Sequence, residues 1–170
     1  MIKKERYISS TDYELLKKLS PNNMEEIIEK INNDYPIQYL IGNVNFYGYP
    51  IKVDERALIP RFETEGLVDN LLKLIKNQVN YPTLKILEIG TGSGCIAVTL
   101  SKELNITVDA LDISKEAIEL ASSNAILNRA SVNFALGDIK NCSISKKYNV
   151  LFRACIFGAG GHHLIPHVPP

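Results

Sequence analysis

The chain has no apolar run approaching the length that spans a bilayer as a helix, so the sequence points to a protein without membrane contact. Met1-Ile2-Lys3-Lys4-Glu5-Arg6 lacks the apolar core of a secretory signal. Cysteines are few: Cys95, Cys142 and Cys155 are odd in number and unevenly spaced, which suits reduced thiols rather than a disulfide frame. Excess charge is also missing. Lys plus Arg number 19 and so do Asp plus Glu, so net charge gives no argument for a nucleic-acid surface. There is no internal repeat and no low-complexity tract. The expectation is a cytoplasmic, monomeric protein of 170 residues, long enough for one domain with a small appendage.

Apolar spacing predicts helices over 11–19 and 24–32; in the second, Met24, Ile27, Ile28 and Ile31 recur at helical intervals. Ser20-Pro21-Asn22-Asn23 separates the two with turn and capping residues. Aromatic and β-branched residues around Gly48 predict a hairpin over 43–53. A helix over about 63–78 follows Leu58-Ile59-Pro60-Arg61, and Tyr81-Pro82 closes it. From residue 84 strands and helices alternate: strand 84–89, helix 94–103, strand 106–112, a helix from Ser114 to Asn128, then strands 132–138 and 148–152. This alternation predicts an α/β, Rossmann-like parallel sheet built from βαβ units.

At the first of these crossovers stands Leu87-Glu88-Ile89-Gly90-Thr91-Gly92-Ser93-Gly94. Strand, glycine turn and helix in succession bring bare backbone N–H groups to a ligand at a helix N-terminus. The spacing is G-x-G-x-G and differs from the dinucleotide fingerprint G-x-G-x-x-G, because position 95, where the third glycine would stand, is Cys. Three acids end successive predicted strands: Glu88, Asp112 and Asp138. In a parallel sheet those ends form the ligand crevice, so Glu88 and Asp112 are expected to face it. Asp112 could accept hydrogen bonds from both hydroxyls of a ribose. Asp138 could accept from an adenine amino group, with Ile139 against the ring. A bland reading stands beside each: the glycines as a tight turn, Asp112 as a neighbour of a helix cap, Asp138 as a solvated loop acid. A nicotinamide or flavin site competes, since it too uses such a turn. S-adenosyl-L-methionine carries no phosphate, and its cationic groups would favour an acid such as Glu88 beneath the turn.

The segment from Leu87 to Ala97 resembles motif I of the class I S-adenosylmethionine-dependent methyltransferases. Other segments narrow the resemblance to the protein-(glutamine-N5) methyltransferases that modify peptide chain release factors. They are Pro36-Ile37-Gln38-Tyr39-Leu40-Ile41-Gly42, Phe46-Tyr47-Gly48, Leu58-Ile59-Pro60-Arg61-Phe62-Glu63-Thr64-Glu65, and Asp112-Ile113-Ser114 with Ala117 and Asn124-Ala125. The similarity covers about residues 10–152. It implies that Gly90, Thr91, Gly92, Ser93, Gly94 and Asp112 hold the cofactor, with Glu88, Asp138 and Ile139 around it. It also implies a release factor as the protein substrate. Pro60-Arg61 equally suits a plain helix-entry turn with an exposed cation.

The family's substrate motif, Asn-Pro-Pro-Tyr, occurs nowhere in the chain; Arg153-Ala154-Cys155-Ile156-Phe157 stands where it should follow the fourth strand. In that motif an Asn side chain and a Pro carbonyl orient the glutamine amide nitrogen toward the methyl group, and alignment is what methyl transfer depends on. No catalytic residue is therefore assigned, and amide methylation is expected to be impaired. After Asp138 there is no Asp or Glu, and all three histidines, His162, His163 and His167, fall in the last nine residues. With Cys155 they match no tetrahedral zinc spacing, so no metal is expected. The expected organisation is a helical cap (1–42), a hairpin and connecting helix (43–82), a partial cofactor domain (83–152) and an atypical, disordered or foreign tail (153–170), as in a truncated or frameshifted relative. The fourth strand would then be an apolar edge. Two alternatives remain open: a cofactor-binding fragment without catalysis, and a nicotinamide-dependent oxidoreductase.

Overall fold

The structure, a computed structural model, describes residues 8–20, 22–78, 81–141 and 146–153. Cys142, Cys155, the three histidines and the expected tail beyond Arg153 lie outside the described residues.

Helix α1 (Ser10–Leu19) starts where Ser9 acts as N-cap: its Oγ accepts from the Asp12 N–H at 3.1 Å. Helix α2 (Met24–Asn32) turns Ile27 and Ile31 inward against Leu16, with Met24 packed at the side; Ile28 faces out. A short helix α3 (Ile37–Ile41), with no counterpart among the expected elements, completes this small cluster through Ile37, Leu40 and Ile41. Gly42 ends it at φ 80°, a left-handed conformation that glycine adopts without strain.

Strands β1 (Asn43–Phe46) and β2 (Tyr49–Lys52) form the expected hairpin. Its two-residue turn puts both Tyr47 (φ 52°) and Gly48 (φ 84°) at positive φ, the arrangement whose twist matches the flanking strands. The Tyr47 N–H donates to Glu65 Oε1 at 2.9 Å, which ties the turn to the first helical residues of α4 (Phe62–Lys76). Phe46 and Ile51 enter the main core beside Val68, Leu72 and Ile75, the inward stripe of α4.

The second sheet runs β5-β4-β3-β6, with every neighbouring pair parallel. Strand β3 (Ile86–Ile89) leads through α5 (Cys95–Leu104) into β4 (Val108–Asp112), and β4 through α6 (Lys115–Asn128) into β5 (Val132–Leu136). Strand β6 (Val150–Arg153) pairs only with β3 among the described residues, at the outer edge as expected. Side chains alternate with period two. Ile86, Val108, Ala110 and Phe152 join the core that contains α4 and α5. Leu87, Ile89 and Leu111 occupy the opposite face with Ile139, Tyr148 and Leu151. Strand β5 stops at Leu136, two residues short of the expected boundary. The Gly137 N–H closes onto the Asp112 carbonyl at 2.9 Å, and the chain then turns through Asp138, whose Oδ1 accepts from the Lys140 N–H.

Candidate cofactor site

The C-terminal ends of β3 and β4 meet at the glycine turn. Gly90, Gly92 and Gly94 sit at φ 75°, 55° and 78°, so the alternate glycines each take a left-handed conformation. The N–H groups of Gly90 and Thr91 both donate to the Leu111 carbonyl, at 2.7 and 3.2 Å, which fastens the turn to β4. The Gly94 N–H donates back to the Thr91 carbonyl at 2.8 Å and starts α5. Gly94 also has no room for a side chain. A Cβ there would lie 2.8 Å from Ala121 Cβ and 3.1 Å from Ala121 Cα, so its absence lets α5 and α6 pack closely.

Asp112 is the half-buried acid at the turn. Its Oδ2 accepts from the Gly92 N–H at 2.8 Å and its Oδ1 from the Ser114 N–H at 3.0 Å. Each oxygen keeps a further lone pair, so the carboxyl is oriented yet can still accept two hydroxyls. Ser114 in turn caps α6, its Oγ accepting from the Ala117 N–H at 3.1 Å.

Glu88 does not face the crevice. It lies on the same side of β3 as Ile86, the helix-covered side, and is 0% exposed beneath the turn. Its Oε2 takes the Thr91 hydroxyl at 2.8 Å and the Ala97 N–H at 3.0 Å, while Oε1 has no protein partner. Burial pushes its pKa up from 4.5 to about 8; the two hydrogen bonds pull the other way, and the nearby Asp112 charge adds to the rise. Ala97 lies in the first turn of α5, so a buried carboxyl oxygen already accepts one of the free N–H groups of that helix end. Thr91 and Ser93 are themselves buried, their backbone forming the turn. Cys95 opens α5, yet burial drives its pKa to about 12, the signature of an inert thiol.

The third acid is placed differently from Asp112. Asp138 lies two residues past β5, and its oxygens are held locally by the Lys140 N–H (2.9 Å) and Asn141 Nδ2 (3.1 Å). The Gly137–Asp112 bond still brings this corner beside the end of β4. Ile139 packs toward the Leu87, Ile89 and Leu111 cluster on the face of the sheet opposite α5.

Two contributors escaped the reading of the sequence as site builders. Ala57, in the loop after the hairpin, would be 3.9 Å from a Cβ at Gly92, so this loop lies against the turn. Asn124 is fully buried and donates to the Ser93 carbonyl at 2.8 Å. A signal for it existed. Ala117, Leu120, Ala121, Asn124, Ala125 and Asn128 form one helical stripe, so the two asparagines had to be core-facing.

The turn lies within the part of the chain that is similar to known proteins. A profile described as a methyltransferase domain matches residues 81–168, just over half of the chain. The chain belongs to the methyltransferase-domain family. It is 44% identical over 111 residues to the release factor glutamine methyltransferase of Flavobacterium psychrophilum, covering 65% of this chain and 39% of that protein. With the Lactococcus lactis protein of the same name the identity is 44% over 117 residues, 68% of this chain and 42% of the relative. For that of Streptococcus pneumoniae it is 42% over 129 residues, 75% and 44%. The chain thus spans about two fifths of the length of the curated relatives it matches. Among solved structures, the Pyrococcus abyssi tRNA (uracil-54, C5)-methyltransferase, in complex with S-adenosyl-L-homocysteine, aligns with TM-score 0.53 and 19% identity over 64% of this chain and 26% of that one. That likeness establishes the Rossmann-like fold of this methyltransferase-domain protein. Among the described residues no helix is long and apolar enough to cross a membrane.

Proposed function

We propose that this methyltransferase-domain protein binds S-adenosyl-L-methionine at the turn of Gly90, Thr91, Gly92, Ser93 and Gly94, with Asp112 accepting the ribose hydroxyls. The observation that carries the reading is the Asp112 carboxyl, held by Gly92 and Ser114 with acceptor capacity to spare. The Asp112 carboxyl, oriented at the mouth of α5, suits a cationic ligand better than a pyrophosphate. The Ala97 N–H that a phosphate would seek is already given to Glu88. This argues against a nicotinamide cofactor. Asp138 and Ile139 flank the adenine end in the same reading.

The reaction is methyl transfer from the sulfonium to a glutamine side chain of a peptide chain release factor, the substrate that the relatives' names carry. The protein acts as a cytoplasmic monomer. This chain's own residues supply the cofactor half of that reaction: they bind and orient the donor. Arg153-Ala154-Cys155-Ile156-Phe157 replaces the Asn-Pro-Pro-Tyr that would align the glutamine amide, so transfer is impaired.

Calorimetric titration tests the binding reading. S-adenosyl-L-homocysteine should bind stoichiometrically and NAD should not; NAD binding alone would overturn it. A methyl-transfer assay on a release factor should find far less product than with a relative that carries Asn-Pro-Pro-Tyr. Equal rates would refute the impairment.

A further inference from the structure

We infer that Asn124 is a positioning residue: its buried side chain sets the geometry of the cofactor turn and couples it to the β1–β2 hairpin. The inference rests on the cofactor reading above. Asn124 sits on α6 and is 0% exposed. Its Oδ1 accepts from the Lys52 N–H at 2.7 Å, and its Nδ2 donates to the Lys52 carbonyl at 3.0 Å and to the Ser93 carbonyl at 2.8 Å. Both side-chain protons are therefore used, one toward the hairpin and one toward the turn.

The contact at Ser93 matters because of what lies on either side. The peptide unit joining Ser93 to Gly94 is gripped at both ends: its carbonyl by Asn124, its N–H by the Thr91 carbonyl. Gly94, which flanks that unit and has no side chain, offers little resistance to its rotation. Holding it narrows the conformations open to the rest of the turn, which carries the Gly92 N–H to Asp112 two peptide units earlier. Lys52 is the last residue of β2, and Val53 beyond it donates to the Gly42 carbonyl. The anchor point is thus where the hairpin meets the end of α3 and leads into the loop that carries Ala57 against Gly92.

Asn128 provides an internal control. It lies one turn along α6, and its Nδ2 donates to the Pro50 carbonyl at 2.8 Å and to the Asn124 carbonyl at 2.9 Å. It holds the same strand without touching the turn. If the asparagines serve only to dock the hairpin, their removal should have equivalent effects.

The test compares wild type, Asn124→Ala and Asn128→Ala for melting temperature, S-adenosyl-L-homocysteine affinity and amide hydrogen exchange at Gly92 and Gly94. Both variants are expected to melt lower. Only Asn124→Ala should bind the ligand about tenfold or more weakly, the scale of one lost buried hydrogen bond, and exchange faster at Gly94. Asn128→Ala should stay within about twofold of wild type in both. Equal affinities and exchange rates in the two variants would overturn the inference. If wild type does not bind the ligand, the cofactor reading fails, and the exchange comparison still decides the role of Asn124. Should Asn124→Ala not fold, Asn124→Ser and the wild-type side-chain amide signals carry the test. On ligand saturation the Asn124 Nδ2 protons should shift while those of Asn128 do not; unchanged Asn124 signals would overturn the inference.

Discussion

Gly94 and Ala121 are in such close contact that a methyl group at Gly94 would lie 2.8 Å from the Ala121 Cβ. Backbone is involved too, since Ala121 Cα would be 3.1 Å away, so no side-chain rotation relieves the clash. Gly94→Ala is therefore expected to cost about 2–4 kcal/mol, combining overpacking with a left-handed conformation at φ 78°. Gly48→Ala separates the two contributions. Gly48 has φ 84° but open space around it, so that variant should lose only about 1–2 kcal/mol. Denaturant midpoints measure both, and adding Ala121→Gly to Gly94→Ala should recover part of the loss. Equal losses in the two single variants would refute the packing argument.

Glu88 makes stability depend on pH in an unusual direction. Its pKa is raised by burial to about 8 in the folded protein, from 4.5 when solvated. Between these values the unfolded chain has released the proton while the folded one retains it. The unfolded state then binds fewer protons, so this group's contribution to stability, full below 4.5, declines as pH rises and is lost through about 8. Glu88→Gln keeps an oxygen for Thr91 and Ala97 but has no proton to lose. Unfolding free energies across that window should fall for wild type and stay flatter for the variant. Parallel curves would remove Glu88 as the cause.

Asp112 should separate ligand affinity from stability. Asp112→Ala releases the Gly92 and Ser114 N–H groups and removes the acceptor offered to a ribose. Hydrogen bonds to a charged group contribute about 1.5–3 kcal/mol each, so S-adenosyl-L-homocysteine should bind at least tenfold more weakly. The loss in unfolding free energy should be nearer 1 kcal/mol, because both N–H groups lie at a turn that is only part-buried and can take water. Calorimetry on a variant confirmed as folded checks this; unchanged affinity would sink the ribose assignment.

Where the sequence carried a long period, it was legible. The stripes of α2 and α4, and the alternation of strand and helix after residue 84, come from burial patterns that repeat several times. Helix α3 was not foreseen because five residues between Pro36 and Gly42 complete little more than one turn. Glu88 was recognised as an acid at a strand end, but its neighbour relations pointed the other way. Two residues from Ile86, it shares the face covered by α5, and burial there outweighs the pull of the crevice. Asp138 was displaced for a local reason, since Gly137 bonds to Asp112 and ends the ladder early. Asn124 shows the commonest loss: its contacts at Lys52 and Ser93 are 72 and 31 residues distant, which no local pattern encodes.

Asp109 supplies a pH dependence opposite in sign to that of Glu88. Burial would raise its pKa, but hydrogen bonds from Asn133, Tyr148 and Lys146 outweigh burial and hold it below the ordinary 3.8. The Tyr148 hydroxyl donates to Oδ2 at 2.8 Å and so fastens the approach to β6 onto β4. A group with a depressed pKa stabilises the fold above its unfolded value, and that contribution is lost as pH falls through the folded value. Tyr148→Phe removes one of the three supports. At pH 7 it should lower stability by about 1–2 kcal/mol. Below pH 3.8, as the carboxyl protonates, the gap between variant and wild type should narrow. Thermal melts at neutral and acid pH measure it; a gap that stays constant or widens in acid would mean that the Tyr148 hydroxyl stabilises the fold other than through the Asp109 carboxylate.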